Sequence, residues 1–192
     1  MKANKHLTFL LVLFAVLFFR LPASGDEWLM FKRDYHPSSI PELPEVLNVG
    51  IPLDCGAYEL QIMGQPIITK SGIGMVADLD MNYLIIRVGL TNKTGKTVGW
   101  LTSDSFILQE TYNSRIYGTY TMDPIISAKF SAGFKLPAFY TPIEPGKMIQ
   151  TVIVFSVYSG AQSWVVSFDP HVFGEEASGE PFLFQIPQPL PQ

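Results

Sequence analysis

From Asn82 to Thr91 the chain reads Asn-Tyr-Leu-Ile-Ile-Arg-Val-Gly-Leu-Thr. Leu84, Ile86, Val88 and Leu90 fall on one side of an extended segment, with Tyr83, Ile85 and Arg87 on the other. A period of two is the pattern of a strand with a buried face, and no helix can place those four residues together. The same period returns downstream. Phe106 and Leu108 share a side in Ser105–Gln109, and Ile149, Thr151, Ile153, Phe155 and Val157 share one in the strand from Met148 to Val157. Trp164, Val166 and Phe168 fill one face of a last strand.

Turn signals separate these runs. Asn92-Lys-Thr-Gly95-Lys, Glu144-Pro-Gly-Lys147 and Ser159-Gly160 are rich in residues that accept tight or positive-φ geometry. Val98 to Leu101 is expected to resume the sheet. Arg115 to Thr121 reads as a more polar strand, with Ile116 and Tyr117 facing opposite ways. The stretch Asp123–Pro142 is less regular, and only Asp123–Phe130 suits a helix, a short one. Many short strands divided by turns predict an all-β, two-sheet antiparallel sandwich.

The chain begins with Lys2 and Lys5, an apolar run from Leu7 to Phe19, and Ala23-Ser24-Gly25 before Asp26. That order is expected of a secretory signal peptide over residues 1–25, cleaved near Gly25/Asp26. Thirteen residues, apolar but for Thr8, fall short of the roughly 20 that a membrane span needs, and no later run is longer, so no transmembrane segment is expected after cleavage. Residues 26–56 carry Pro37, Pro41, Pro44 and Pro52 and read as an extended leader, with Trp28-Leu29-Met30-Phe31 apolar enough to dock on the main body. The sandwich is expected over 57–172. Residues 173–192 turn acidic and then Pro-rich, an extended and mobile tail in which Phe182-Leu183-Phe184 suits a short edge strand.

Cleavage would leave ten of the 13 basic residues against all 17 acidic ones, a net charge of −7. Nucleic-acid binding needs a basic footprint that such a chain lacks. A single cysteine, Cys55, makes no internal disulfide, so the core alone must hold the domain. It is either an ordinary small residue or half of an intermolecular bond.

The order of motifs resembles a known family, the bacterial extracellular immunoglobulin-like domains of unknown function, similar in fold to a mycobacterial secreted immunoprotective antigen. The resemblance runs from Tyr58 to Pro170. It rests on the alternating strand Leu84–Leu90 closing in Thr91-Asn92, then Ser103-Asp104-Ser105-Phe106-Ile107-Leu108. Pro145-Gly146-Lys147, Ile153-Val154-Phe155 and Val165–Phe168 complete it. It implies an immunoglobulin-like sandwich outside the cytoplasm and supplies no catalytic residues. The lipoprotein cysteine common upstream in that family is absent here.

Chemistry is sparse. Asp78-Leu-Asp80-Met-Asn82 has the oxygen spacing of a calcium loop, but Tyr83 stands where the turn glycine belongs and no closing Glu follows, so a solvated turn is expected. Gly160-Ala-Gln-Ser-Trp164 is not a nucleophile elbow. Asp169-Pro-His171 reads as a turn, and Gly72-Ile-Gly74 lacks the helix that a phosphate cradle requires. His36 and His171, the two histidines beyond the signal segment, and one cysteine do not make a zinc set. Asn92-Lys-Thr94 is a glycosylation acceptor relevant only to a eukaryotic secretory route. No catalytic, metal or cofactor-binding residues are therefore expected.

Aromatic residues are the one surplus. Tyr112, Tyr117, Tyr120, Phe134, Phe139 and Tyr140 crowd the stretch between two strands and are candidates for a partner-binding surface, since aromatics give large contact area at small entropic cost. The alternative is that several plug the open end of the sandwich. The sequence thus predicts a non-catalytic interaction module with a protein partner at the cell envelope. The runner-up is an enzyme accessory, an inhibitor, or an enzyme working through residues 123–142, and a purely structural role is a third reading.

Overall fold

The structure, a computed structural model, describes residues 44–99, 102–112, 115–160, 163–169 and 182–191. The signal segment, most of the leader with its Trp28–Phe31 cluster, and residues 170–181, which include His171 and the first part of the tail, lie outside the described residues.

In chain order the elements are β1 (Pro52–Asp54), β2 (Tyr58–Ile62), β3 (Ile67–Thr69), β4 (Ser71–Gly72), β5 (Met75–Val76), β6 (Met81–Asn92), β7 (Phe106–Tyr112), β8 (Arg115–Thr121), α1 (Pro124–Gly133), β9 (Met148–Tyr158), β10 (Trp164–Phe168), β11 (Phe182–Gln185) and β12 (Leu190–Pro191). Two sheets form an immunoglobulin-like sandwich. The first is organised on β6: β9 pairs along one side of it, while β2 and β3 share the other side, flanked by β1 and β12. The second has the order β11-β10-β7-β8. Neighbours run antiparallel except β12, which lies parallel to β3.

The alternation builds the core as expected. Leu84, Ile86, Val88 and Leu90 of β6 are all buried, with Ile153, Phe155 and Val157 of β9 beside them. Phe106, Leu108, Trp164, Val166 and Phe168 meet them from the second sheet. Phe106 and Phe168 stack with ring centroids 4.9 Å apart.

The other face of β6 is covered as well. Tyr83 and Ile85, with Val152 and Val154 of β9, form a second buried cluster closed by Phe130. Phe130 belongs to α1, so the short helix that Asp123–Phe130 suited is present over Pro124–Gly133, and the less regular remainder up to Pro142 follows it as turns. The helix starts where it does because Asp123 caps it. Its carboxylate accepts the N–H groups of Ile125 at 3.0 Å and Ile126 at 2.9 Å, and Pro124 sits where a missing N–H costs nothing.

Some expectations need correction. Val98 does not begin a strand; it forms an isolated bridge with Ile143, and residues 100–101 are outside the described set. The end of the leader joins the sandwich, through β1 and a bridge between Val46 and Gln185. The tail from Phe182 onward is likewise built in. β11 pairs with β10 as the Phe182–Phe184 pattern suggested, Phe184 and Ile186 are buried, and Leu190 donates its N–H to the Pro66 carbonyl at 2.9 Å.

Asn92 ends β6 with a fully buried side chain. Its amide nitrogen donates to the carbonyls of Lys96 at 2.7 Å and Ile143 at 2.9 Å, and its oxygen accepts from the backbone N–H and hydroxyl of Thr94. One side chain thereby holds the 92–96 turn against the strand entering β9, and every polar group it buries is satisfied.

Candidate functional site: a cleft between two sheet edges

The sheets come closest at their β8 and β9 edges. Asp123, just past β8, donates its backbone N–H to the Val154 carbonyl at 2.9 Å. Beside this point lies a cleft of about 400 Å³ lined by Thr119, Tyr120, Thr121, Met122, Asp123, Pro124 and Ser156. β8 forms one wall, the end of β9 the other, and the N-terminal end of α1 closes it.

The side chains around it are hydroxyls and rings more than charges. Tyr120 is half-buried and donates its hydroxyl to Glu110 at 2.9 Å, tying β8 to β7. The Asp123 carboxylate is engaged in capping α1. Below the helix, burial holds the Tyr83 hydroxyl above its ordinary value, reinforced by the negative charges of Asp78 and Asp123. The cleft therefore offers hydrogen-bonding groups and apolar surface, with its nearest carboxylates already committed.

The six aromatic candidates do not form one surface. Tyr117 projects from β8, 48% exposed, opposite the buried Ile116 as expected. Tyr120 lines the cleft. Tyr112 closes β7, and its side chain is outside the described set. Phe134 caps the far end of α1, on the outer side of the first sheet, 43% exposed. Phe139 is buried: it is 7% exposed and packs into the sandwich core. Tyr140 sits edge-to-face on it with centroids 5.3 Å apart, 54% exposed. Phe139 thus fills the core, while Tyr117, Tyr140 and Phe134 are exposed.

Further hollows are found among the described residues. One of about 450 Å³ lies between residues 45–53 and β11, with Val46, Ile51 and Leu183 exposed at its rim. A smaller one, about 170 Å³, lies between α1 and the β4–β5 hairpin, whose tip holds Ile73 at φ 45°. At Asp78–Asn82 the chain makes a turn, with Asp80 at φ 62° and the Asp78 carbonyl accepting the Met81 N–H at 3.0 Å. Among the described residues no group of three or more His, Cys, Asp or Glu side chains converges as a metal site would require. Cys55 is buried, its thiol reaching the Leu53 carbonyl at 3.6 Å, and burial pushes its pKa up to about 12.

Sequence reasoning missed the cleft because its walls are set by backbone, not by a motif. The available signal was the uncharged, hydroxyl-rich run of β8 from Ile116 to Thr121.

No protein-family model matches the chain, and no curated protein matches it. Among solved structures, it is similar in fold to the YjhA protein from Bacillus subtilis, with a TM-score of 0.50 at 14% identity over 73% of this chain and 99% of that one. The YcdA protein, also from Bacillus subtilis, aligns with a TM-score of 0.47 at 19% identity over 70% of this chain; the chain spans 38% of that protein. MPT63, a secreted protein from Mycobacterium tuberculosis, gives 0.41 at 11% identity, covering 74% of this chain and 97% of its own. The class is that of immunoglobulin-like β-sandwiches, and the likeness is one of fold.

Proposed function

We propose that this protein is an exported, non-catalytic interaction module of the bacterial cell envelope, engaging a protein partner through the β8 side of the sandwich. The observation carrying this reading is the exposed Tyr117 on β8, the strand that also forms one wall of the cleft. A large exposed aromatic ring and a hollow lined by hydroxyls on the same strand suit recognition. Export is supported by the N-terminal sequence of residues 1–25. Residues 124–133 form a helix packed on the first sheet, which favours this reading over an enzyme working through an irregular 123–142 loop.

A photo-crosslinking amino acid placed at Tyr117 and activated in intact cells tests this. A discrete protein adduct, absent when the same group is placed at exposed Glu144 in the turn before β9, is the expected result. No adduct, together with turnover of a small substrate by the purified protein, overturns it.

A further inference from the structure

We propose that the β8–β9 cleft receives an extended, acid-poor segment of a partner polypeptide, which adds to the edge of β8 as an extra strand. This rests on the interaction reading above and specifies how contact is made.

The direction of each backbone group follows from the ladders. β7 turns its odd-numbered residues toward β10: the Asp169 N–H donates to the Ser105 carbonyl at 3.0 Å, and the Thr111 N–H to the Ser163 carbonyl at 2.9 Å. In an antiparallel sheet the N–H and C=O of one residue point the same way and neighbours alternate. Leu108 and Glu110 therefore face β8, opposite Tyr120 and Gly118. The groups of Thr119 and Thr121 consequently point away from β7, toward the cleft.

The far rim has the same logic. Val152 and Val154 direct their N–H groups away from β6, into the hydroxyls of Ser131 and Ser127 on α1. Ser156 is next in that alternation and also lines the cleft. The two edges are thus joined at Asp123–Val154 and separate beyond it. Among the described residues no hydrogen bond occupies the outward backbone groups of Thr119, Thr121 or Ser156.

These edges are treated differently by the sequence. α1 shields β9 at Val152 and Val154. β8 begins with the charged Arg115, and a bulge interrupts its pairing opposite Glu110–Thr111, but from Ile116 to Thr121 it has no proline, lysine or other charge, so the guards stop short of the Thr119–Thr121 edge. An extended chain is the ligand that repeats its donors and acceptors every two residues, about 6.8 Å, to match such an edge. Asp123 is the one ionisable carboxylate lining the cleft, Glu110 lies behind Tyr120, and no cation lines it. Acidic segments are therefore disfavoured.

The test uses a phage-displayed library of random dodecapeptides against the exported full chain, followed by titration of selected peptides with amide NMR and fluorescence anisotropy. Expected are acid-poor, β-prone peptides that shift the amides of Thr119, Thr121 and Ser156. Thr119→Pro deletes an outward N–H and no ladder bond, and weakens binding at least tenfold. Thr121→Lys adds an edge charge on an intact backbone and does the same, which covers a proline variant that fails to fold. Unchanged affinity in the lysine variant, with shifts elsewhere, overturns strand addition while leaving an interaction module. Selection of no peptide also overturns strand addition, and the Tyr117 cross-link then decides the broader reading by itself. Dimers of the chain that Thr121→Lys dissolves would identify a second copy as occupant and overturn the assignment to another polypeptide.

Discussion

The hydroxyl of Ser127 accepts the backbone N–H of Val154 at 2.9 Å, from a helix onto the edge of a strand. One turn later Ser131 does the same for Val152 at 3.1 Å, and lies 3.2 Å from the Thr151 hydroxyl. Residues four apart share a helix face, and residues two apart share a strand edge, so the two periods coincide here. Both serines are fully buried. They substitute for a neighbouring strand by satisfying outward N–H groups that have no water to turn to.

Replacing either serine with alanine should strand a buried donor. A loss of about 1–3 kcal/mol is expected for each. Urea unfolding measures it, with Lys129→Ala on the exposed side of α1 as the control that changes little. Amide exchange at Val152 or Val154 should accelerate in the matching variant.

Phe155 is fully buried between the sheets. Phe155→Ala is expected to cost about 3–5 kcal/mol, a large share of the roughly 5–15 kcal/mol that holds a typical domain. Tyr140→Ala, at an exposed site, should shift the midpoint far less. Equal losses in thermal melts of the two variants would contradict the assigned core.

Cys55 should be silent toward thiol reagents while the protein is folded. Burial raises its pKa from about 9 to about 12, so the folded state holds the thiol proton more tightly than the unfolded one. Stability is therefore fully present below pH 9 and declines as pH rises toward 12. Ellman's reagent at pH 8 should react only after denaturant is added. Fast reaction in native buffer would refute the buried placement.

Truncation after Pro181 removes Phe184 and Ile186 from the core and leaves β10 with an open edge. Each buried side chain contributes about 1.5–3 kcal/mol, so a markedly lower melting temperature and increased aggregation by light scattering are expected. Truncation after Gln188 spares both side chains and removes the short β12 pairing and the buried Pro189, with a smaller effect.

The central strands were legible because one face of each meets the core and the other was free to be polar. β6 and β9 strain that rule. Tyr83-Leu-Ile-Ile86 and Val152-Ile-Val-Phe155 are apolar at every position, the mark of strands covered on both faces. The cover itself was announced by Asp123-Pro124, a strong helix start, although the segment has little one-sided apolar pattern because its buried face carries serines. The pairing of Leu190 with Ile67 joins residues far apart in sequence, and no local pattern encodes such a contact. Phe139 left two readings open for a related reason: an aromatic between strands looks the same whether it fills an opening or faces water.

The arrangement at Asn92 has a practical consequence for producing this protein. In a yeast or mammalian secretory host, a sugar would be attached to the nascent chain at Asn92, before folding could hide it. The glycan would occupy the nitrogen that must donate to Ile143 and Lys96, in a space with no room for it. Material from such a host should be retained as misfolded product, and Thr94→Ala would relieve the modification only by removing a partner of the same amide. Bacterial expression avoids that conflict.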